Sequence, residues 1–183
     1  MKQEARIVIM GWKRKVIEEV LDCSKMLLLA LMVSAFVKEN VAAGALVPTG
    51  SMEETVATGS RVVINKLAYI AEEPERGDIV AFYYPDDGET LYLKRIMGLP
   101  GETIEGRDGY VYINGMLLQK DYTTEKLDSD FGPFVIPNGC YFMLGDNRNN
   151  SWDSRYWKNT FVTAEEIVGK VKLEFYPEIK ILE

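Results

Sequence analysis

Residues 90–99 read TLYLKRIMGL, and the fold class turns on how this run is read. Apolar, aromatic and β-branched residues crowd it, and Pro100-Gly101 supplies a turn signal immediately after it. That combination predicts a strand. Alternation then places Tyr92, Lys94 and Ile96 on one face. A lysine inside so oily a run admits two readings. It is a solvated edge residue, or it is an amine buried for a chemical reason.

Working outward, the same strand character recurs in RVVINKL (61–67), DIVAFYY (78–84), YVYINGMLLQ (110–119), CYFMLGD (140–146) and IVGKVKLEFY (167–176). Asn114-Gly115 within the third of these runs is a two-residue hairpin signal. Only TAEEIV (163–168) reads as helical, with Thr163 as cap and Glu165 or Glu166 in the first turn. Residues 120–139 have the weakest pattern and read as a long loop. The fold class is therefore mainly β, an antiparallel sheet domain over residues 39–183.

The N-terminal part differs. Met26 to Val37 are uncharged between Lys25 and Lys38, but as a helix they rise only ~18 Å, short of a ~30 Å hydrocarbon layer. Extension back to Ile17 reaches the required length and takes in Glu18, Asp22 and Lys25, which share a helix face and can pair. The expectation is a cytoplasmic N-terminus (1–16), a single transmembrane anchor helix (17–38) and an extracytoplasmic domain (39–183), in the cell membrane. The basic cluster Lys13, Arg14 and Lys15 sets that orientation. An amphipathic helix packed on a soluble domain, or a cleaved signal peptide, are the alternatives. Against cleavage, VAAGALVPTGSM runs straight into the part of the chain that carries the chemistry.

Net charge is −7, with +2 in residues 1–25 and −9 in the remainder, which argues against a nucleic-acid partner. Cys23 and Cys140 are far apart, and no cysteine pair has metal-site spacing. Histidine is absent altogether, so an imidazole base or ligand is excluded. Chemistry here must run on Ser, Thr, Lys, Tyr and carboxylates.

A serine nucleophile without histidine needs another neutral base. Lysine serves if burial disfavours its ammonium. Lys94 suits this role, whereas Ser51, on the turn PTGSME (48–53), is by itself only a turn serine. GDNRNNSWDSR (145–155) packs polar groups densely among Trp152, Tyr156 and Trp157, which suits a folded loop that orients a catalytic side chain. Its spacing does not match an EF-hand calcium loop.

The ordered set VPTGSM, GSRVVINKL, RGDIVAF, YLKRIMGLPGETI and GDNRNNSWDSRYW resembles the successive boxes of type I signal peptidases, over roughly residues 20 to 176. The single anchor and compact ectodomain resemble the short Gram-positive form. The resemblance implies a serine endopeptidase of Ser/Lys dyad type, with Ser51 as nucleophile and Lys94 as general base. It further implies an oxyanion hole from the Ser51 N–H and the Thr49 hydroxyl, and Ser151 as the hydroxyl that orients the base. Asp153 and Arg95 match a structural ion pair, with Arg155 in the same network. Val47, Met52, Tyr92 and Leu93 match the substrate pockets, where ordinary core packing is the competing explanation. The implied substrates are secretory preproteins cut after an A-x-A-like site. The bilayer is a further partner, the secretion translocon is admitted as one, and neither metal nor cofactor is required.

The chain departs from the family pattern at Glu54, where proline is usual, at Ser60, where aspartate is common, and at Lys158, where glycine is usual. Two other classes compete. A catalytically silent, membrane-anchored β domain would not need both Ser51 and Lys94. A self-cleaving Ser/Lys protein akin to SOS repressors would carry a DNA-binding domain where this chain has an apolar segment.

Overall fold

A computed structural model describes residues 2–120 and 122–182, with side chains described for Trp12 and from Lys15 onward apart from residues 121 and 183. The side chains of Lys13 and Arg14, on which the expected orientation partly rests, lie outside the described residues. The chain divides into two units, Met1–Val41 and Ala42–Glu183.

The first unit is one helix, α1 (Lys2–Asn40). Its stretch Lys15–Asn40, 26 residues, is long and apolar enough to cross a membrane. At 1.5 Å per residue it spans about 39 Å, more than a hydrocarbon core requires. This stretch contains the 17–38 read from the sequence as an anchor. Helical geometry satisfies its polar groups locally. Lys25 Nζ donates to Asp22 Oδ1 at 2.9 Å, and Ser24 Oγ donates to the Val20 carbonyl. The apolar side chains along it, Leu27 to Leu29 and Phe36 among them, are exposed.

The second unit is built from twelve strands: β1 (Ala42–Leu46), β2 (Arg61–Asn65), β3 (Ile79–Tyr83), β4 (Leu91–Gly98), β5 (Thr103–Arg107), β6 (Tyr110–Ile113), β7 (Met116–Leu117), β8 (Phe131–Val135), β9 (Cys140–Leu144), β10 (Val162–Thr163), β11 (Ile167–Tyr176) and β12 (Lys180–Ile181). The larger sheet runs β1-β2-β11-β3-β4-β9-β10, with β12 beside β11; the smaller runs β7-β6-β5-β8. Every described pairing is antiparallel.

Strand patterning follows position in the sheet. In β2, Val62 and Ile64 are buried and their neighbours are not, the alternation of a strand with one covered face. Ile79 to Phe82 of β3, the middle strand of that order, are buried without alternation. Asn114 and Gly115 both take positive φ, 51° and 76°, and close the β6–β7 hairpin as their sequence implies. TAEEIV provides a single 3-10 turn, Ala164–Glu166, entered through a capping box between Thr163 and Glu166.

Residues 120–139 are not a plain loop. They contain β8, whose register on β5 is irregular and whose sequence FGPFV breaks apolar alternation with Gly132 and Pro133. That interruption hid the strand. β1 and β5 were likewise unread, because AAGAL and TIEGR lack the β-branched density of their neighbours.

Phe142 of β9 ties the two sheets together. It is fully buried and contacts Phe131 and Phe134 of β8 as well as Phe161. Phe142→Ala should cost ~3–5 kcal/mol, read as a lowered urea midpoint. An unchanged midpoint would place the joint elsewhere.

Candidate active site

The turn between β1 and β2 carries Ser51. Two buried side chains fix it: Met52 and Val56 both enter the core cluster formed with Val62, Ile64 and Ile79. The Val56 N–H and the Thr55 N–H both donate to the Met52 carbonyl, so the turn is wound tightly just after the serine. A second loop holds it from the other side. The Asn147 side-chain amide donates to the Gly50 carbonyl at 2.9 Å, and the Asn147 N–H donates to the Ser51 carbonyl at 3.2 Å.

Lys94 enters from β4. Its Nζ lies 2.5 Å from Ser51 Oγ, and the residue is only 4% exposed. Burial drives its pKa down from 10.5 to about 8, against the pull of the Asp153 and Asp146 carboxylates and helped by the Arg155 charge. The amine is thus a buried base and not a solvated edge lysine. Thr49 Oγ1 lies 3.4 Å from Ser51 Oγ, on the same turn.

Beneath the dyad is a buried ionic network, divided differently from the expected one. Arg95 pairs with Asp146, Nε to Oδ1 at 2.9 Å and Nη2 to Oδ2 at 2.7 Å, and also donates to the Gly77 carbonyl. Asp153 pairs with Arg155 at 2.8 Å and accepts from the Gly145 N–H. The expected Arg95–Asp153 pair is therefore corrected to Arg95–Asp146 and Asp153–Arg155. Asp146 also accepts from Thr55 Oγ1 at 2.6 Å, which links β4 to the turn of Ser51 through one carboxylate.

Ser151 needs a second correction. It sits in the cleft wall, but among the described residues its buried Oγ has no hydrogen-bond partner, so the bond expected to orient Lys94 is not made in this geometry. Three participants went unassigned in the sequence: Asp146, Asn147 and Thr55. The density of polar residues in GDNRNNSWDSR pointed to the first two. Only the fold reveals which of them reach the serine turn.

A cleft of about 700 Å³ opens over the dyad. Val47, Met52, Tyr92 and Leu93 all border it, the first two buried and the last two half-buried. Val47 and Met52 also belong to the core. Its flanks are strand edges. β4 pairs with β3 along 91–95 but with β9 only from Arg95 onward, and β1 pairs only with β2. Among the described residues, no strand therefore covers the second edge of 91–94 or the outer edge of β1.

The departures have local explanations. Glu54 takes φ of 79°, which a proline ring cannot adopt. Ser60 is buried and donates to Glu174 Oε1 at 2.5 Å, a bond an aspartate could not make as a carboxylate. Lys158 lies on an exposed loop, its N–H bonded to Asp86.

The family profile described as "Signal peptidase, peptidase S26" matches residues 20–176. Probable signal peptidase I-2 of Synechocystis is 36% identical over 86% of this chain and 73% of its own length. Signal peptidase I S of Bacillus subtilis is 33% identical over 87% of this chain and 91% of its own. A solved signal peptidase I from Enterococcus faecalis is 38% identical and covers 54% of this chain and 97% of its own, with a TM-score of 0.47.

Two expectations follow from the geometry. Between pH 8 and 10.5 the unfolded chain holds a proton that native Lys94 has released, so native stability rises with pH across that window. Lys94→Met should therefore add up to about 3 kcal/mol of stability below pH 8. That excess should fade towards pH 10.5 in urea titrations at stepped pH; a constant excess would mean the amine is not desolvated. A methyl at Gly145 would overlap Ser151 Oγ and the Ser51 carbonyl oxygen. Gly145→Ala should displace the serine turn, seen as a crystallographic shift of Ser51, while an unmoved turn would show the contact to be yielding.

Proposed function

Because the chain belongs to the signal peptidase family, peptidase S26, we propose that it is a membrane-bound serine endopeptidase. It removes N-terminal signal peptides from secreted preproteins through a Ser51/Lys94 acyl-enzyme. The observation that carries this reading is the 2.5 Å approach of a buried amine to a serine hydroxyl in an open cleft.

Neutral Lys94 accepts the Ser51 proton as the Oγ attacks the scissile carbonyl carbon. The carbonyl oxygen gains the negative charge and is held by the Ser51 N–H and the Thr49 hydroxyl. The tetrahedral adduct collapses, the peptide C–N bond breaks, and the Lys94 ammonium gives its proton to the leaving amine. Lys94, neutral again, takes a proton from water as its oxygen attacks the ester carbon; the ester C–Oγ bond then breaks and the Lys94 ammonium returns the proton to Ser51 Oγ. A base with its pKa near 8 is half neutral near that pH, whereas an unburied lysine would be almost wholly protonated.

The substrate lies as an added strand between the open edges of residues 91–94 and β1. Its backbone pairs with those edges, and alternate side chains face the cleft floor. The buried apolar floor at Val47, Met52 and Leu93 favours small side chains there, which fits an A-x-A-like site. Helix α1 anchors the enzyme as a single span, with Lys13, Arg14 and Lys15 on the cytoplasmic side and the β domain outside.

Incubating the full chain in detergent with a precursor, and sequencing the new N-terminus, tests the activity. Ser51→Ala should abolish cleavage. Lys94→Arg should do the same, because a guanidinium does not deprotonate in proteins. Thr49→Val should lower kcat by roughly 10²–10³. The parent kcat/KM should rise with pH and level off above about 8. Cleavage retained without Ser51 or Lys94, or a pH profile flat through 8, would exclude the dyad.

A further inference from the structure

Trp152 presents an indole at the mouth of the cleft. The residue is 55% exposed, yet its ring is held. It stacks on Tyr156, with centroids 5.5 Å apart and planes within 15°. Its Nε1–H reaches the Tyr84 hydroxyl at 3.4 Å, and Tyr84 stacks flat on Tyr92, 4.6 Å away, in the cleft wall. A run of braced rings thus leads from the wall to the rim. Fixing a large apolar surface in water is unfavourable in itself, and it prepares the ring for contact, because little side-chain freedom remains to be lost on binding.

Strand alternation says which part of a substrate arrives there. In an extended segment lying in the cleft, two side chains separated by one residue point to the floor, where Val47, Met52, Ile64 and Ala81 are buried. The side chain between them points to the mouth. Selection for small residues acts on the first two alone. The mouth, by contrast, is open and carries a fixed aromatic face.

We propose that Trp152 is a specificity-determining residue. Its indole receives the middle side chain of the small-x-small cleavage site and favours a large apolar or aromatic residue there. This inference rests on the peptidase reading above.

The test uses the full chain in detergent with peptides that differ only in that middle residue: Phe, Leu or Ser. For the parent, kcat/KM should favour Phe over Ser by about threefold to tenfold, the size of one aromatic contact, with the difference carried by KM. Trp152→Ala should bring the ratio close to one, and Trp152→Phe should restore most of it. A parent ratio of one overturns the inference, as does a ratio that survives Trp152→Ala. An equal loss on all three peptides, the mark of a merely structural role, also overturns it. So does weakened binding to lipid vesicles with the ratio unchanged, which would assign the indole to the bilayer. If the parent cleaves no peptide, the peptidase reading fails and takes this inference with it; cleavage with an unaltered ratio removes this inference alone.

Discussion

The Lys94 amine can act on the Ser51 hydroxyl only where water is kept from it, and much of the β domain serves that exclusion. An amine 4% exposed on a paired strand loses hydration that a single serine bond does not replace. It responds by shedding its proton more readily, with a pKa near 8. The shift that makes the base useful also makes the native state less stable than an apolar residue there would. Site and stability therefore pull against each other at one position.

What holds the strained arrangement is largely ionic and lies underneath it. Arg95 and Asp146 are almost completely buried, as are Asp153 and Arg155. Such pairs add little net stability compared with apolar packing, but removing one partner leaves a stranded charge. Their value here is geometric. Asp146 joins strand β4, through Arg95, to the turn of the nucleophile, through Thr55, while Asn147 next to it clasps the turn by its backbone. The same carboxylates draw the Lys94 proton back towards the amine, so burial has to outweigh them.

The positions at which this chain departs from the family pattern are accommodated locally. A proline at 54 is incompatible with a φ of 79°, so the turn after Ser51 is held by the Met52 and Val56 anchors and not by ring stiffness. Ser60 gives up a carboxylate and gains a bond to buried Glu174, which moves the negative charge across to β11. Ser151 keeps its place in the cleft wall but makes no hydrogen bond there. The stacked rings of Trp152 and Tyr156 are another local feature of this site.

Legibility in the sequence followed the range of the interactions involved. Strands with dense β-branched residues, the Asn114-Gly115 hairpin and the Thr163 cap were readable because each is settled within a few residues. β8 and β1 were not, since their pairing compensates for poor local propensity. Lys94 could be nominated from residue chemistry, because a chain with no histidine leaves few bases, whereas Ser51 stood out only through the family resemblance. The contact of Lys94 with Ser51, the pairing of Arg95 with Asp146, and the clasp of Asn147 on Gly50 join residues 43 to 97 positions apart. Local pattern carries no record of such distances; only the folded sheet, by closing those loops, decides which groups meet and which are cut off from water.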